Sequence, residues 1–384
     1  MGSKEAIGIN NESGKEEMKI GTRVIRAGLP EPEQGKPFSE GVWFASVYHA
    51  AGEPSSSPYT YGRKHNPTWE RFERALSELE GGIALSFASG MAAVAAVFGA
   101  VLRPGDALVM PCDSYYTARM LAEGFFTEIG VEVRKAPTAG SGLAQLLEGA
   151  KLLWLESPSN PGLDVCDIAT LTEAAHRKGV LVAVDNTTPT MLGQSPLALG
   201  ADFSLASDTK SLTGHSDLVL GHVAVKDAES ADKLRSWRTN IGAIPGPMEV
   251  WLATRSLATL EMRLERQCRN AQAIAEYLST HSKVKRLRYP GLPEDPSHKI
   301  AARQMRFFGP VVSFVLADRA KAEQFLRECK LITEATSFGG FHTTAERRAR
   351  WKGDAIPEGF IRLSAGCEDG ADLIADIAQA LDTL

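Results

Sequence analysis

Six short apolar runs constrain this chain most: "IALSF", "ALVMP", "KLLWLES", "VLVAVDN", "DFSLAS" and "LVLGHVAV", spread over residues 83–225. They lack the polar alternation of a strand with one wet face, so they suit strands buried on both faces. That is the signature of a mostly parallel sheet covered by helices. Helical patterns separate them: "SGMAAVAAVFGAVL", a helix around Arg119 to Gly124, and "DIATLTEAAHRKG". Ligands of such sheets bind beyond the carboxyl ends of the strands. Ser89, Asp113, Glu156, Asp185 and Ser207 fall at those ends.

The 384 residues exceed what one simple core holds, which predicts more than one domain. Residues 1–60 read as an arm and extension, 61–247 as a large domain and 248–384 as a smaller α+β domain. A helix is predicted from Trp69, Phe72, Leu76 and Leu79, and one long helix from Met248 to Leu278. The net charge of −5 offers no basic excess for nucleic acid or an anionic membrane. Five scattered cysteines without CxxC spacing suggest neither a disulfide framework nor a zinc site, and reduced thiols fit a cytoplasmic protein. The leader "MGSKEAIGINNESGKEEMK" has no apolar core, so no signal peptide is expected. No run approaches the roughly 20 apolar residues that cross a bilayer, and a soluble protein is expected.

Nucleotide-binding glycine motifs and metal-binding histidine spacings are missing, so no metal is expected. "GHSDL" resembles a nucleophile elbow without its final glycine, leaving Ser216 as a hydrolase candidate or a plain loop hydroxyl. In "SDTKSLTGHSD", Lys210 follows a buried strand and is surrounded by hydroxyls. It reads as a structural lysine or as an amine whose lowered pKa suits attack on a carbonyl. Asp185, delivered to a strand end by four apolar residues, reads as a turn carboxylate or as the partner of a pyridinium nitrogen. "SFASGMAA" opens a helix at Ser89 to Met91, whose free N–H groups form a seat for phosphate. Together, amine, carboxylate and helix terminus are what pyridoxal 5′-phosphate (PLP) requires.

Several motifs, in order, give the chain its resemblance: "YGRKHNPTWERFERALSELEGG", "SFASGMAA", "LWLESPSNPGLDVCDI", "VAVDNT", "ASDTKSLTGHSDLVLGHV" and "IRLSAGCED". From about Gly21 to Leu384 it resembles the cystathionine γ-lyase, cystathionine γ-synthase and methionine γ-lyase family of PLP-dependent enzymes. The resemblance implies the aspartate-aminotransferase-type fold (fold type I). It makes Lys210 the lysine that carries the cofactor and shuttles protons, and Asp185 the partner of the pyridine nitrogen. It puts Asn160 near the phenolic oxygen, and Gly90, Met91, Ser207 and Thr209, with Ser89, around the phosphate. Tyr61 and Arg63 match a pair reaching the phosphate of a neighbouring subunit, which implies a homo-oligomer with shared sites, a dimer or a dimer of dimers. Arg362 matches the clamp on the substrate α-carboxylate, helped by Ser337.

Some positions depart from the family pattern. "DSYYTAR" stands where the family has "YGGT", so Tyr115, with Tyr116 as competitor, is expected to stack on the cofactor. Thr117 replaces the cysteine typical of methionine γ-lyases. "SFGGFHTTAERRARW" carries Phe338 in place of a leucine and displaces the following glutamate to Glu346. The expected function is γ-elimination from cystathionine or a related amino acid, giving a 2-oxoacid, ammonia and a thiol. The alternatives are a γ-replacement synthase acting on an O-acylhomoserine, a methionine γ-lyase, the hydrolase on Ser216, and a PLP-free binding protein.

Overall fold

The computed structural model describes residues 18–384; residues 1–17, which hold most of the leader, lie outside them. Seven strands form the large sheet: β1 (Ile83–Phe87), β2 (Ala107–Pro111), β3 (Glu132–Ala136), β4 (Leu152–Glu156), β5 (Leu181–Asp185), β6 (Phe203–Ala206) and β7 (Gly221–Val225). Their order is β1-β7-β6-β5-β4-β2-β3. From β6 through β3 all neighbours are parallel, and β7 runs antiparallel to both β6 and β1. The carboxyl ends of β1, β2, β4, β5 and β6 therefore lie along one edge. Ser89, Asp113, Glu156, Asp185 and Ser207 are at or just past those ends, as the apolar runs predict.

Five strands form the second sheet: β8 (Arg286–Arg288), β9 (Val311–Val315), β10 (Thr333–Glu334), β11 (Thr344–Arg347) and β12 (Phe360–Ser364), in the order β10-β11-β12-β9-β8. The strands β11, β12, β9 and β8 pair antiparallel. Helices Leu260–Ser279, Arg319–Glu328 and Gly370–Asp382 supply Ile274, Phe325 and Ile377 to its core.

Helix Pro67–Glu80 shows why these elements form. Asn66 caps it by accepting from the Thr68 amide at 2.8 Å, Pro67 occupies its first turn, and Gly81 ends it at φ 74°. Its Trp69, Phe72, Leu76 and Leu79 are buried, as their spacing predicts. Between the large sheet and helix Gly90–Val101, Phe98 meets Trp154 of β4 edge-on at 4.9 Å. Such a pair contributes about 0.5–1.5 kcal/mol beyond area burial.

Three local expectations need correction. The helix predicted from Met248 to Leu278 is two helices, Pro247–Leu257 and Leu260–Ser279, broken at Ala258 and Thr259. Buried Val250, Leu257, Leu260 and Leu264 keep the apolar stripe running across the break, which hides it from a reading of periodicity. The helix predicted from Arg119 to Gly124 starts earlier, at Tyr116–Leu121, and widens into a π-helical turn at Ala122–Phe126. Strand β3 was not foreseen: it lies at the sheet edge and carries Glu132, Arg134 and Lys135, so it shows no apolar run. Helix Leu260–Ser279 serves both cores, Leu264 packing beneath the large sheet and Ile274 beneath the small one.

Candidate active site

A cavity of about 340 Å³ opens along the carboxyl edge of the large sheet. It is lined from that sheet by Ser89, Gly90, Met91, Tyr115, Asn160, Asp185, Ser207, Thr209 and Lys210, and from the second half of the chain by Phe338. Nine of the predicted cofactor residues thus meet in one place, drawn from the ends of β1, β2, β4, β5 and β6.

Asp185 ends β5. Its Oδ1 accepts from the Thr187 amide at 3.0 Å and from the Thr187 hydroxyl at 2.5 Å. Its Oδ2 receives no hydrogen bond from the described residues. Burial raises the pKa of this carboxyl, while the Thr187 bonds, Lys210 and His222 oppose the rise. Glu156, its register partner on β4, is also buried. Burial and then the Asp185 charge push Glu156 well up. Its two oxygens accept from the Tyr115 and Asn160 amides, at 2.6 and 2.7 Å. Sequence reasoning placed Glu156 at a strand end without a role; the structure makes it the brace for two loops of the site.

At the other end, Ser89 caps helix Gly90–Val101, its hydroxyl accepting from the Ala92 amide at 3.0 Å. The Gly90 and Met91 amides, first in the helix, donate to no acceptor among the described residues. A Cβ on Gly90 would stand 2.6 Å from the Ser207 Cβ, so only glycine allows this approach. The Thr209 hydroxyl is engaged with the main chain of Leu220, donating at 3.1 Å and accepting at 3.0 Å.

Lys210 Nζ donates to the Ser337 hydroxyl at 2.7 Å and lies 5.5 Å from the centre of the Phe338 ring. Burial first, then the Arg362 charge, lowers its pKa to about 8. A neutral-pH fraction of free amine follows, the form that attacks carbonyls. Ser337 sits at φ 78°, a left-handed geometry that costs energy in a non-glycine residue. Its carbonyl accepts from Arg362 at 3.1 Å.

Arg362, on β12, is buried, and burial lowers its pKa to about 10. It donates to Asn160 Oδ1 at 2.7 Å and to Glu346 Oε1 at 2.6 Å. Glu346 is its register neighbour on β11. The Glu346 carboxylate also accepts from Arg348, Arg350 and the Trp351 indole. Asp354 carries the chain of contacts onward to Arg119, next to the Tyr115 loop, at 2.8 Å. Glu346 therefore holds Arg362 rather than standing free in the cavity.

Of the two tyrosines, Tyr115 lines the cavity, whereas Tyr116 packs against Gly353 and Arg119. Tyr61 and Arg63 lie outside the cavity of their own chain. Tyr61 is 44% exposed and Arg63 donates to the Thr239 carbonyl. Ser216 is exposed at φ 59° and has no hydrogen bond to a histidine among the described residues. Thr187 and His222 are the contributors that sequence reasoning missed, and Glu156 is one that it placed without a role. "VDNTT" held the signal for Thr187, a hydroxyl two residues past a strand-end carboxylate.

The residues fit PLP. Along the cavity lie a carboxylate oxygen and two helix-terminal amides that have no partner among the described residues, and an amine of lowered pKa.

The comparisons agree with that chemistry. The family described as "Cys/Met metabolism PLP-dependent enzyme" matches residues 21–382. A Streptomyces coelicolor protein provisionally named cystathionine gamma-lyase is 56% identical, covering 94% of this chain and 93% of its own. A cystathionine beta-lyase from Coxiella burnetii is 39% identical, covering 94% and 97%. The solved structure of a Xanthomonas oryzae cystathionine gamma synthase superposes with a TM-score of 0.91 at 34% identity, covering 96% and 100%. With this match over nearly its whole length, the chain belongs to the Cys/Met metabolism PLP-dependent enzymes, and it has their fold type I architecture.

Proposed function

We propose that the chain is a carbon–sulfur lyase that cleaves cystathionine, or a close relative, at the γ-carbon. Cystathionine and water would yield cysteine, 2-oxobutanoate and ammonia. PLP, when bound, supplies the electron sink that lets bonds at the substrate α-carbon break. The observation that carries the reading is the hydrogen-bonded run Lys210–Ser337–Arg362 beside Asp185. It links a titratable amine that lines the cavity to an arginine suited to a carboxylate, through Ser337.

In this reading Asp185 would pair with the pyridine nitrogen, and the Gly90 and Met91 amides with Ser89, Ser207 and Thr209 would hold the phosphate. Tyr115 would stack on the ring and Asn160 would meet the phenolic oxygen. Arg362, steadied by Glu346, binds the α-carboxylate, with Ser337 beside it. Lys210 takes the α-proton and redelivers it so that the γ-substituent can leave. A lowered lysine pKa suits both halves of that transfer.

We also infer a homotetramer, a dimer of dimers. Phe38, Phe44 and Val47 are 82%, 73% and 71% exposed, and Val47 forms a β-bridge with Tyr61. That exposure supports an arm that reaches a neighbouring subunit's site. The five free thiols support a reducing, cytoplasmic setting. No described helix is long and apolar enough to cross a membrane.

γ-Replacement onto an O-acylhomoserine, a transferase reaction, is the second reading; the structural likeness to the gamma synthase favours it. A panel of cystathionine, methionine, homocysteine and O-acylhomoserines, scored for 2-oxoacid with and without added thiol, separates the two. Thiol-independent 2-oxobutanoate from cystathionine supports the lyase. Turnover only of O-acylhomoserines with thiol replaces it with the synthase.

A further inference from the structure

A second cluster of charge lies beneath the cavity, sealed from solvent. His222 of β7 stands between Ser86 of β1 and Ala206 of β6 in the sheet register. Its Nδ1 meets Asp208 Oδ1 at 2.6 Å and its Nε2 meets Glu80 Oε1 at 3.0 Å. The side-chain exposures of His222, Asp208 and Glu80 are 0%, 0% and 1%. Asp208 Oδ2 and Glu80 Oε2 have no hydrogen-bond partner among the described residues.

With both carboxyls ionised, a ring flanked by an oxygen on each nitrogen satisfies both contacts by donating twice, as the imidazolium; burial raises the pKa of Asp208, and the His222 charge opposes that rise. The two acids on its flanks more than offset the desolvation of the ring and raise its pKa to about 10. Asp208 lies two residues before Lys210, at the turn that also presents Ser207 and Thr209 to the cavity. Beyond the two acids it bonds, His222 also acts on Asp185, whose ionised form it favours after the Thr187 hydrogen bonds and Lys210. Nearby, Arg238 and Glu73 pair with each other over Ser86. Lys210 takes part in the chemistry, so its charge varies. The charge of His222, out of reach of solvent and substrate, does not.

We propose that His222 is a positioning residue: by bridging Glu80 and Asp208 it pins the turn that presents Lys210, and its positive charge favours the ionised form of Asp185. This rests on the assignment of Asp185 and Lys210 to the cofactor.

The test follows the visible absorption and the dissociation of bound PLP in the holoenzyme across pH. His222→Gln keeps a hydrogen-bonding side chain but removes the charge. Its acid limb, where the cofactor's spectrum and affinity fail, should move up by about one pH unit, with about tenfold weaker binding on that limb. Asp208→Asn keeps an acceptor for the Nδ1 proton and removes a negative charge, so its limb should move down. Loss of thermal stability in His222→Gln with an unmoved limb overturns the proposal. If His222→Gln does not fold, an unmoved or raised limb in Asp208→Asn overturns it instead. Borohydride reduction keeps the two layers apart. Absence of a cofactor adduct on Lys210 refutes the site assignment itself, whereas an adduct with unmoved limbs refutes only the part given to His222.

Discussion

Where the large sheet ends in carboxylates, the small sheet answers with guanidinium groups. Glu156 and Asp185 close adjacent parallel strands, and burial pushes both carboxyls towards protonation. Arg362 lies on β12 of the other sheet, opposite Glu346 on antiparallel β11, and burial pushes it towards losing its proton. A buried charge is costly without close partners. Arg362 has one on its own sheet, Glu346 at 2.6 Å, and adds Asn160 Oδ1 and the Ser337 carbonyl towards the cavity. The difference assigns the tasks: strand-end acids suit a cationic ring nitrogen, and a braced arginine suits a carboxylate. Lys210 stands between the two and feels both.

The sharpest way to break this division is to remove the guanidinium. Arg362→Leu should lower kcat/KM by on the order of a hundredfold or more, mostly through KM. PLP content should remain near normal, because the large sheet holds the cofactor. Arg362→Lys should recover little, since a point charge does not reproduce a two-pronged contact. Loss of PLP along with activity would mean the two sheets do not divide the work.

Removing only the brace should cost less. Glu346→Gln retains an acceptor for Arg362 but not its charge, and about tenfold in kcat/KM is expected, again as KM. An unchanged KM would make Glu346 a purely structural hub for Arg348, Arg350 and Trp351.

The smallest effect concerns Lys210 in the PLP-free protein. Its pKa is depressed to about 8, so the folded state is penalised for the protonated amine. That penalty is complete below pH 8 and fades as pH rises towards the ordinary lysine value of 10.5. Lys210→Met should therefore be more stable than the parent at neutral pH, by about 1–3 kcal/mol, with the gap closing at high pH. Denaturant midpoints across pH measure this; a gap that stays constant would mean the amine is not strained by its surroundings.

Much of this was legible in the sequence because it is local. "LVAVDN" shows a carboxylate on a strand end, and "SFASGMAA" shows the capped helix whose amides face the cavity. What stayed hidden depends on partners far apart in the chain. Asn160 meets Arg362 across 202 positions and Glu80 meets His222 across 142. Single windows of sequence cannot reveal such pairs. Glu346 looked like a displaced contact because its role is set by register with Arg362 on the next strand. Tyr115 and Tyr116 are alike as residues, and only the turn that sends one to the cavity and the other to Gly353 separates them.

The most direct measurement is reduction of the purified protein with borohydride, followed by peptide mass analysis. A yellow preparation should bleach and carry one reduced pyridoxyl adduct, on Lys210, while Lys210→Ala should carry none. An adduct on another lysine, or a protein that takes up no PLP, would contradict the account at its base.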